Sequence, residues 1–199
     1  MSRRIGMFGG AFDPPHLGHV ALARAAVEQL HLDELRVFPT GQAWHKAREL
    51  SPGEHRLAMA QLAFADVPNA VVDGRELQRA GPTYTVDTLR ELHREFPQAQ
   101  FLLVIGADQA EDLHGWRESA EIARLATVSI AARARPMGYA ADFDASRLPE
   151  GPREPLELPP VPVSSTEVRR LAAAGEGIAG LVPPGVARYI AQHNLYRTH

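Results

Sequence analysis

Two histidines, His16 and His19, stand three residues apart at the start of an alanine-rich helical pattern, close behind Gly9-Gly10. That spacing places both imidazoles on one face of the first helical turn. The glycines end a short apolar segment, Ile5-Gly6-Met7-Phe8, and allow the backbone to bend tightly and an anion to come close. Pro14-Pro15 then fix the turn, and the following helix start offers free N–H groups and a dipole that favour negative charge. This order of residues describes a phosphate-handling loop with two imidazole donors, which predicts a nucleotide site. Half of a metal site is the competing chemistry. It would need further ligands, and the chain has no cysteine and no second pair of closely spaced histidines.

Three further segments could join such a site. All but one of the 21 basic residues are arginine, and the exception, Lys46, lies in the loop Gly41-Gln42-Ala43-Trp44-His45-Lys46. A lysine there is a compact point charge able to reach phosphates. Val104-Ile105-Gly106-Ala107-Asp108 ends an apolar run with a glycine and a carboxylate. Gly106 suits close approach of a nucleotide, and Asp108 could bind a ribose, assist magnesium or cap a helix. Ser164-Ser165-Thr166-Glu167 has capping-box spacing, with Arg169 one turn further on. Hydroxyls, amides and a guanidinium at a helix start can embrace the outer phosphates of a triphosphate.

Gly9-Gly10-x-Phe12-Asp13-Pro14-x-His16-x-Gly18-His19 resembles the signature of the His-x-Gly-His nucleotidyltransferase superfamily, and Ser164-Ser165-Thr166-x-x-Arg169 resembles its second element. Pro82-Thr83-Tyr84-Thr85 is similar to a segment of the bacterial nicotinate-nucleotide adenylyltransferases that lies beside the pyridine base. Trp116 stands where that family carries a tryptophan stacked on the ring, and Arg135-Pro136 where it has an Arg-Pro pair. The resemblance runs from Gly9 to about Tyr196. It implies that Gly9, Gly10, Phe12, Gly18, Gly106, Asp108, Ser165 and Thr166 bind ATP, and that Asp13, Tyr84, Thr85, Trp116 and Arg135 bind the acceptor. His16, His19, Lys46 and Arg169 would be catalytic, the histidines stabilising the transferring phosphate and the two cations holding the outer phosphates. The implied reaction is adenylyl transfer from ATP to nicotinate mononucleotide, giving the deamido dinucleotide and pyrophosphate, with Mg2+ bound chiefly through ATP phosphates. Nicotinamide mononucleotide and phosphopantetheine are the alternative acceptors, and a non-catalytic nucleotide sensor is the alternative class. The family often has prolines before the His-Lys pair of the Lys46 loop, where this chain has Ala43 and Trp44.

The elements that must position these residues alternate along the chain. Apolar runs predict strands over Arg4–Phe8, Leu35–Phe38, Ala70–Val72, Phe101–Ile105 and Thr127–Ala131. Helical patterns lie over Leu17–Leu30, Pro52–Phe64, Val86–Phe96, Ala120–Leu125 and Gly185–Gln192, with another helix opening at Ser164. Ser51-Pro52-Gly53-Glu54 reads as an N-cap serine with proline at the first helical position. The alternation predicts an α/β fold, a Rossmann-like three-layer α/β/α with a mostly parallel sheet of about five or six strands. In such sheets ligands bind at the carboxyl ends of the strands, near the point where strand order reverses. Pro136–Pro162 is expected as a long surface excursion.

Composition sets the outer bounds. A chain of 199 residues suits one nucleotidyltransferase domain over 1–199, with the helical element from about 164 completing the site. With 24 acidic against 21 basic residues, no affinity for nucleic acid or membrane surfaces is implied. There is no P-loop, serine elbow or zinc signature, which argues against those kinases and hydrolases. A cytoplasmic protein is expected, with homo-oligomerisation open.

Overall fold

Residues alternate between two cores along each central strand, and this alternation builds the fold. A computed structural model describes the backbone of residues 2–42, 49–133 and 148–197. Its strands are β1 (Arg4–Gly10), β2 (Glu34–Pro39), β3 (Ala70–Val72), β4 (Gln100–Gly106), β5 (Thr127–Arg133) and β6 (Arg153–Leu158). They form one six-stranded sheet in the order β3-β2-β1-β4-β5-β6, with every neighbouring pair parallel. Phe8, Val37, Leu102 and Val104 point to one face, into a core shared with helices α1 (Leu17–Gln29), α2 (Gly53–Phe64), α7 (Ser165–Ala173) and α8 (Pro184–Gln192). Ile5, Met7, Phe101, Leu103 and Ile105 point to the other, against α4 (Thr85–Glu95), α5 (Ala107–Asp112) and α6 (Ser119–Leu125). A period of two with both faces apolar is what a strand buried between helices requires. The three-layer parallel architecture is therefore as the sequence predicts.

The chain order runs outward in one direction from β1 through β2 to β3, and in the other from β4 through β5 to β6. The reversal falls between β1 and β4, whose register pairs Met7 with Leu103. Their carboxyl ends carry Gly9-Gly10 and Gly106, so the glycine loop opens at the switch point.

Three expectations need correction. Arg153–Leu158 is not an excursion but the edge strand β6, paired with β5 from Val128↔Arg153 to Arg133↔Leu158. Its pattern, Arg-Glu-Pro-Leu-Glu-Leu, escapes a hydrophobicity reading because Leu156 alone is buried. An edge position tolerates both the charges and Pro155, which lacks an amide donor. Ser51 does not cap α2: Pro52 occupies the N-cap position, and the Ser51 amide is used elsewhere. A four-residue helix, α3 (Arg75–Gln78), and the short α5 add to the expected helices, both being too brief for a periodic signal. Among the described residues no helix is long and apolar enough to cross a membrane.

Candidate active site

The loop after β1 is built upward from the core. Phe12 adopts a left-handed φ of 47° and drops its ring beneath the loop, 1% exposed. There it meets Phe8, Phe64 and His19 edge-on, at centroid distances of 5.4, 5.4 and 5.2 Å. His16 is the N-cap of α1, in extended backbone. Its amide donates to His19 Nδ1 at 3.1 Å, which assigns the His19 ring proton to Nε2. The two imidazoles stack at 3.7 Å, nearly parallel. Burial lowers the His16 pKa to about 4, so the ring is neutral at pH 7 and acts as a hydrogen-bond donor or acceptor rather than a cation. Its Nδ1 is buried with no hydrogen-bond partner among the described residues. Gly18 lies close against this pair: a Cβ there would stand 3.1 Å from Cε1 and Nδ1 of His16.

The second signature folds onto the first. Ser164 caps α7, its side chain accepting from the Glu167 amide at 3.2 Å. The Ser165 hydroxyl donates to the Pro14 carbonyl at 2.9 Å, and Arg169 Nη1 donates to the Asp13 carbonyl at 2.7 Å. Arg169 Nη2 also reaches the Thr166 hydroxyl, at 3.1 Å. Segments some 150 residues apart in sequence thus share one ledge, with hydroxyls, a guanidinium and two imidazoles around two helix N-termini. That donor set matches phosphate oxygens.

Beside the ledge, between the ends of β1 and β4, lies a cavity of about 350 Å³. Gly9 and Gly10 form part of its lining, with Tyr84, Thr85 and Trp116 among the residues around them. Trp116 is half-buried and packs on the α4–α6 core. The Arg117 guanidinium lies over the Tyr84 ring, 4.6 Å from its centroid, a cation–π contact. The turn carrying Trp116 and Arg117 ends at Glu118, whose φ of 53° is unusual for a residue with a side chain. Glu118 is gripped by Arg90 of α4 through two hydrogen bonds, at 2.5 and 3.3 Å. Glu76 and Thr83 also line the cavity. A Cβ on Gly41 would come within 2.2 Å of the Glu76 carbonyl, so the loop after β2 passes Glu76 only as glycine. Burial lifts the Glu76 carboxyl to about 7, against the opposing effect of a 2.8 Å hydrogen bond from the Thr88 hydroxyl.

The structure therefore gathers the expected residues into two neighbouring groups. His16, His19, Ser165, Thr166 and Arg169 meet at the ledge, and Gly9, Gly10, Tyr84, Thr85 and Trp116 meet at the cavity. Gly106 is the N-cap of α5 at the end of β4, and Asp108 is exposed in that helix's first turn, so Asp108 is not the cap. Phe12 and Asp13 are turned inward, each residue 1% exposed, and neither lines the cavity. Lys46 and Arg135 lie outside the described residues. Sequence reasoning missed Glu76 and Arg117 in the cavity wall. Arg117 adjoins Trp116 and could have been found by that adjacency, whereas Glu76 carries no local signal.

Comparisons with known proteins agree with this geometry. A cytidylyltransferase-like family model matches residues 7–171. A protein of Albidiferax ferrireducens named "probable nicotinate-nucleotide adenylyltransferase" is 54% identical over 196 residues, covering 98% of this chain and 99% of its own length. A protein of the same name from Methylibium petroleiphilum is 44% identical, over 98% of this chain and 92% of its own. The solved structure of Plasmodium falciparum nicotinic acid mononucleotide adenylyltransferase complexed with NaAD shares the fold. Its TM-score is 0.78 at 20% identity, over 98% of this chain and 97% of the other. With both signature elements joined at one ledge and relatives matched along nearly their whole length, this chain belongs to the nicotinate-nucleotide adenylyltransferases.

Proposed function

We propose that this protein transfers the adenylyl group of ATP to nicotinate mononucleotide, releasing pyrophosphate and forming the deamido dinucleotide. The observation that carries the reading is the clasp between the two signatures. The Ser165 and Arg169 bonds to the Pro14 and Asp13 carbonyls set phosphate-binding groups beside the stacked histidines, next to a cavity walled by Trp116 and Tyr84. In this reaction a phosphate oxygen of the acceptor forms a bond to the α-phosphorus, and the bond from that phosphorus to the bridging oxygen breaks as pyrophosphate leaves. The nucleophile is already ionised and needs no general base, so catalysis consists of alignment and stabilisation of charge.

His19, with its proton on Nε2, and the neutral His16 would donate to the oxygens of the transferring group. Neutral imidazoles suit this work, because they give a hydrogen bond without having to lose a proton when pyrophosphate departs. Arg169, with Lys46 from the loop after β2, would hold the outer phosphates. The nicotinate ring would stack on Trp116, with Tyr84 and Thr85 beside it. Magnesium would arrive on the phosphates of ATP. Among the described residues no cluster of three or more histidines or carboxylates is placed to hold it, and the ledge presents donors suited to anions. Bound to the ATP phosphates, the ion would offset the negative charge that builds on the departing pyrophosphate.

Pyrophosphate release with ATP and magnesium tests the reading, with nicotinate mononucleotide, nicotinamide mononucleotide and phosphopantetheine offered in parallel. A strong preference for the nicotinate acceptor is expected. Preference for another acceptor would move the substrate, and no release from a folded protein that still binds ATP would favour a sensor.

A further inference from the structure

The ledge rests on a carboxylate that never reaches the cleft. Asp13 is 1% exposed, and its two oxygens are taken up by separate parts of the chain. The Tyr196 hydroxyl donates to Oδ1 at 2.7 Å, and the Ser51 amide donates to Oδ2 at 3.1 Å. The carbonyl of the same residue receives Arg169 at 2.7 Å. Ser51 is held in turn: its carbonyl accepts from Arg56 Nε at 2.9 Å. Arg56, itself 3% exposed, donates through Nη1 to the Ala11 and Thr40 carbonyls, at 3.1 and 2.6 Å. Tyr196 sits beyond α8 in a left-handed conformation, φ 71°, with its hydroxyl directed at Asp13. Burial and the adjacent carboxylate hold that phenol well above its usual range, so it is a protonated donor at pH 7.

A buried charge is costly unless its lone pairs are met by donors, and here the donors come from the end of the chain and from the residue preceding α2. Movement of the carboxylate would move the Asp13 carbonyl and with it the support of Arg169.

We propose that Tyr196 and Asp13 are a positioning pair for the phosphate end of the cleft. The buried carboxylate, pinned by the Tyr196 hydroxyl and the Ser51 amide, fixes the carbonyl on which Arg169 rests. Neither side chain touches substrate; both act through Arg169 and the imidazole loop. The inference rests on the adenylyl-transfer reading for the role of that ledge.

The test is a double-mutant cycle with Tyr196→Phe and Asp13→Asn, following steady-state turnover with ATP and nicotinate mononucleotide. Tyr196→Phe keeps the ring and removes only the hydroxyl. It should lower kcat about tenfold and raise KM for ATP, while KM for the nicotinate acceptor stays within about twofold. Asp13→Asn offers one acceptor oxygen in place of two and should behave similarly. The double variant should be little worse than the worse single one, because both substitutions break one linkage. Tyr189→Phe, which loses a half-buried hydroxyl bonded to His55, serves as the control and should leave turnover unchanged. A merely structural tyrosine would lower Tm and leave kcat and KM for ATP alone. That result, or strictly additive effects in the cycle, overturns the pair. Should Tyr196→Phe fail to fold, Asp13→Asn alone decides by the same split between ATP and acceptor. A wild-type chain that releases no pyrophosphate overturns the transferase reading instead, and the ATP affinities of the same variants then decide the pair.

Discussion

The ledge and the cavity lie side by side but are held by different physics. At the ledge, most of the groups that face the cleft are fixed by hydrogen bonds to backbone: His19 by the His16 amide, Ser165 by the Pro14 carbonyl, Arg169 by the Asp13 carbonyl. At the cavity, the walls are rings and a turn under backbone strain: Trp116 against apolar residues, Tyr84 under the Arg117 guanidinium, Glu118 in a left-handed conformation secured by Arg90. The difference follows from what each must recognise. Charge developing on a phosphorus needs dipoles held to within a fraction of an ångström, and backbone hydrogen bonds supply that rigidity. A flat aromatic base needs shape and a stacking partner, which packed side chains supply.

The most severe way to break the contrast is at the imidazoles. His19→Ala removes a donor fixed by the His16 amide and should lower kcat by about 10²–10³-fold, with KM for the acceptor little changed and the fold intact by circular dichroism. Near-normal turnover in a folded variant would remove the histidines from the chemistry. At the cavity the loss should fall on binding instead. Trp116→Ala deletes a stacking surface and should raise KM for the nicotinate acceptor by about ten- to a hundredfold, with KM for ATP held within a few-fold. If both variants lowered kcat alone, the division between a rigid ledge and a shaped cavity would fail.

The same division decides how much can be read from the sequence. The glycine–histidine run and the Ser164–Arg169 segment are local strings whose order encodes a turn and a helix start, so the residue order alone makes them legible. The two buried faces of β4 are legible too, because Phe, Leu, Val and Ile fill Phe101–Ile105 without interruption. The cavity is not a string. Its lining comes from β1, the segment from Glu76 to Thr85, the end of β4 and the turn at Trp116, and only the fold brings these together. Asp13 shows the deeper limit. Its place in the motif suggests a ligand-facing carboxylate, yet its partners are Tyr196 and Ser51, 183 and 38 residues away, and no local pattern announces them. The strand β6 is hidden for a related reason: an edge strand buries one residue, Leu156, and carries its charges outward.

The smallest expected effect lies in the cavity wall and separates the two regions by the sign of their pH response. Burial lowers the His16 pKa, so its neutral form is favoured in the folded protein and the stability it contributes is lost as pH falls from about 6.5 toward 4. Glu76 runs the opposite way. Its folded pKa, about 7, lies above the ordinary carboxyl value of 4.5, so the protonated carboxyl is the stable native form. The stability tied to that proton is complete below 4.5 and is lost as pH rises through 7. Glu76→Gln replaces the carboxyl with a permanently neutral group of similar shape that still offers an oxygen to the Thr88 hydroxyl. Its Tm should match or fall slightly below wild type at pH 5 and exceed it by a few degrees at pH 8. An anionic acceptor should feel the same change, since an ionised Glu76 in the wall opposes a nicotinate carboxylate. KM for nicotinate mononucleotide should therefore rise above pH 7 in wild type and stay level in Glu76→Gln. Parallel Tm and KM profiles for the two proteins across pH 5–8 would show that Glu76 is ionised throughout, and the cavity wall would then be negatively charged wherever the enzyme works.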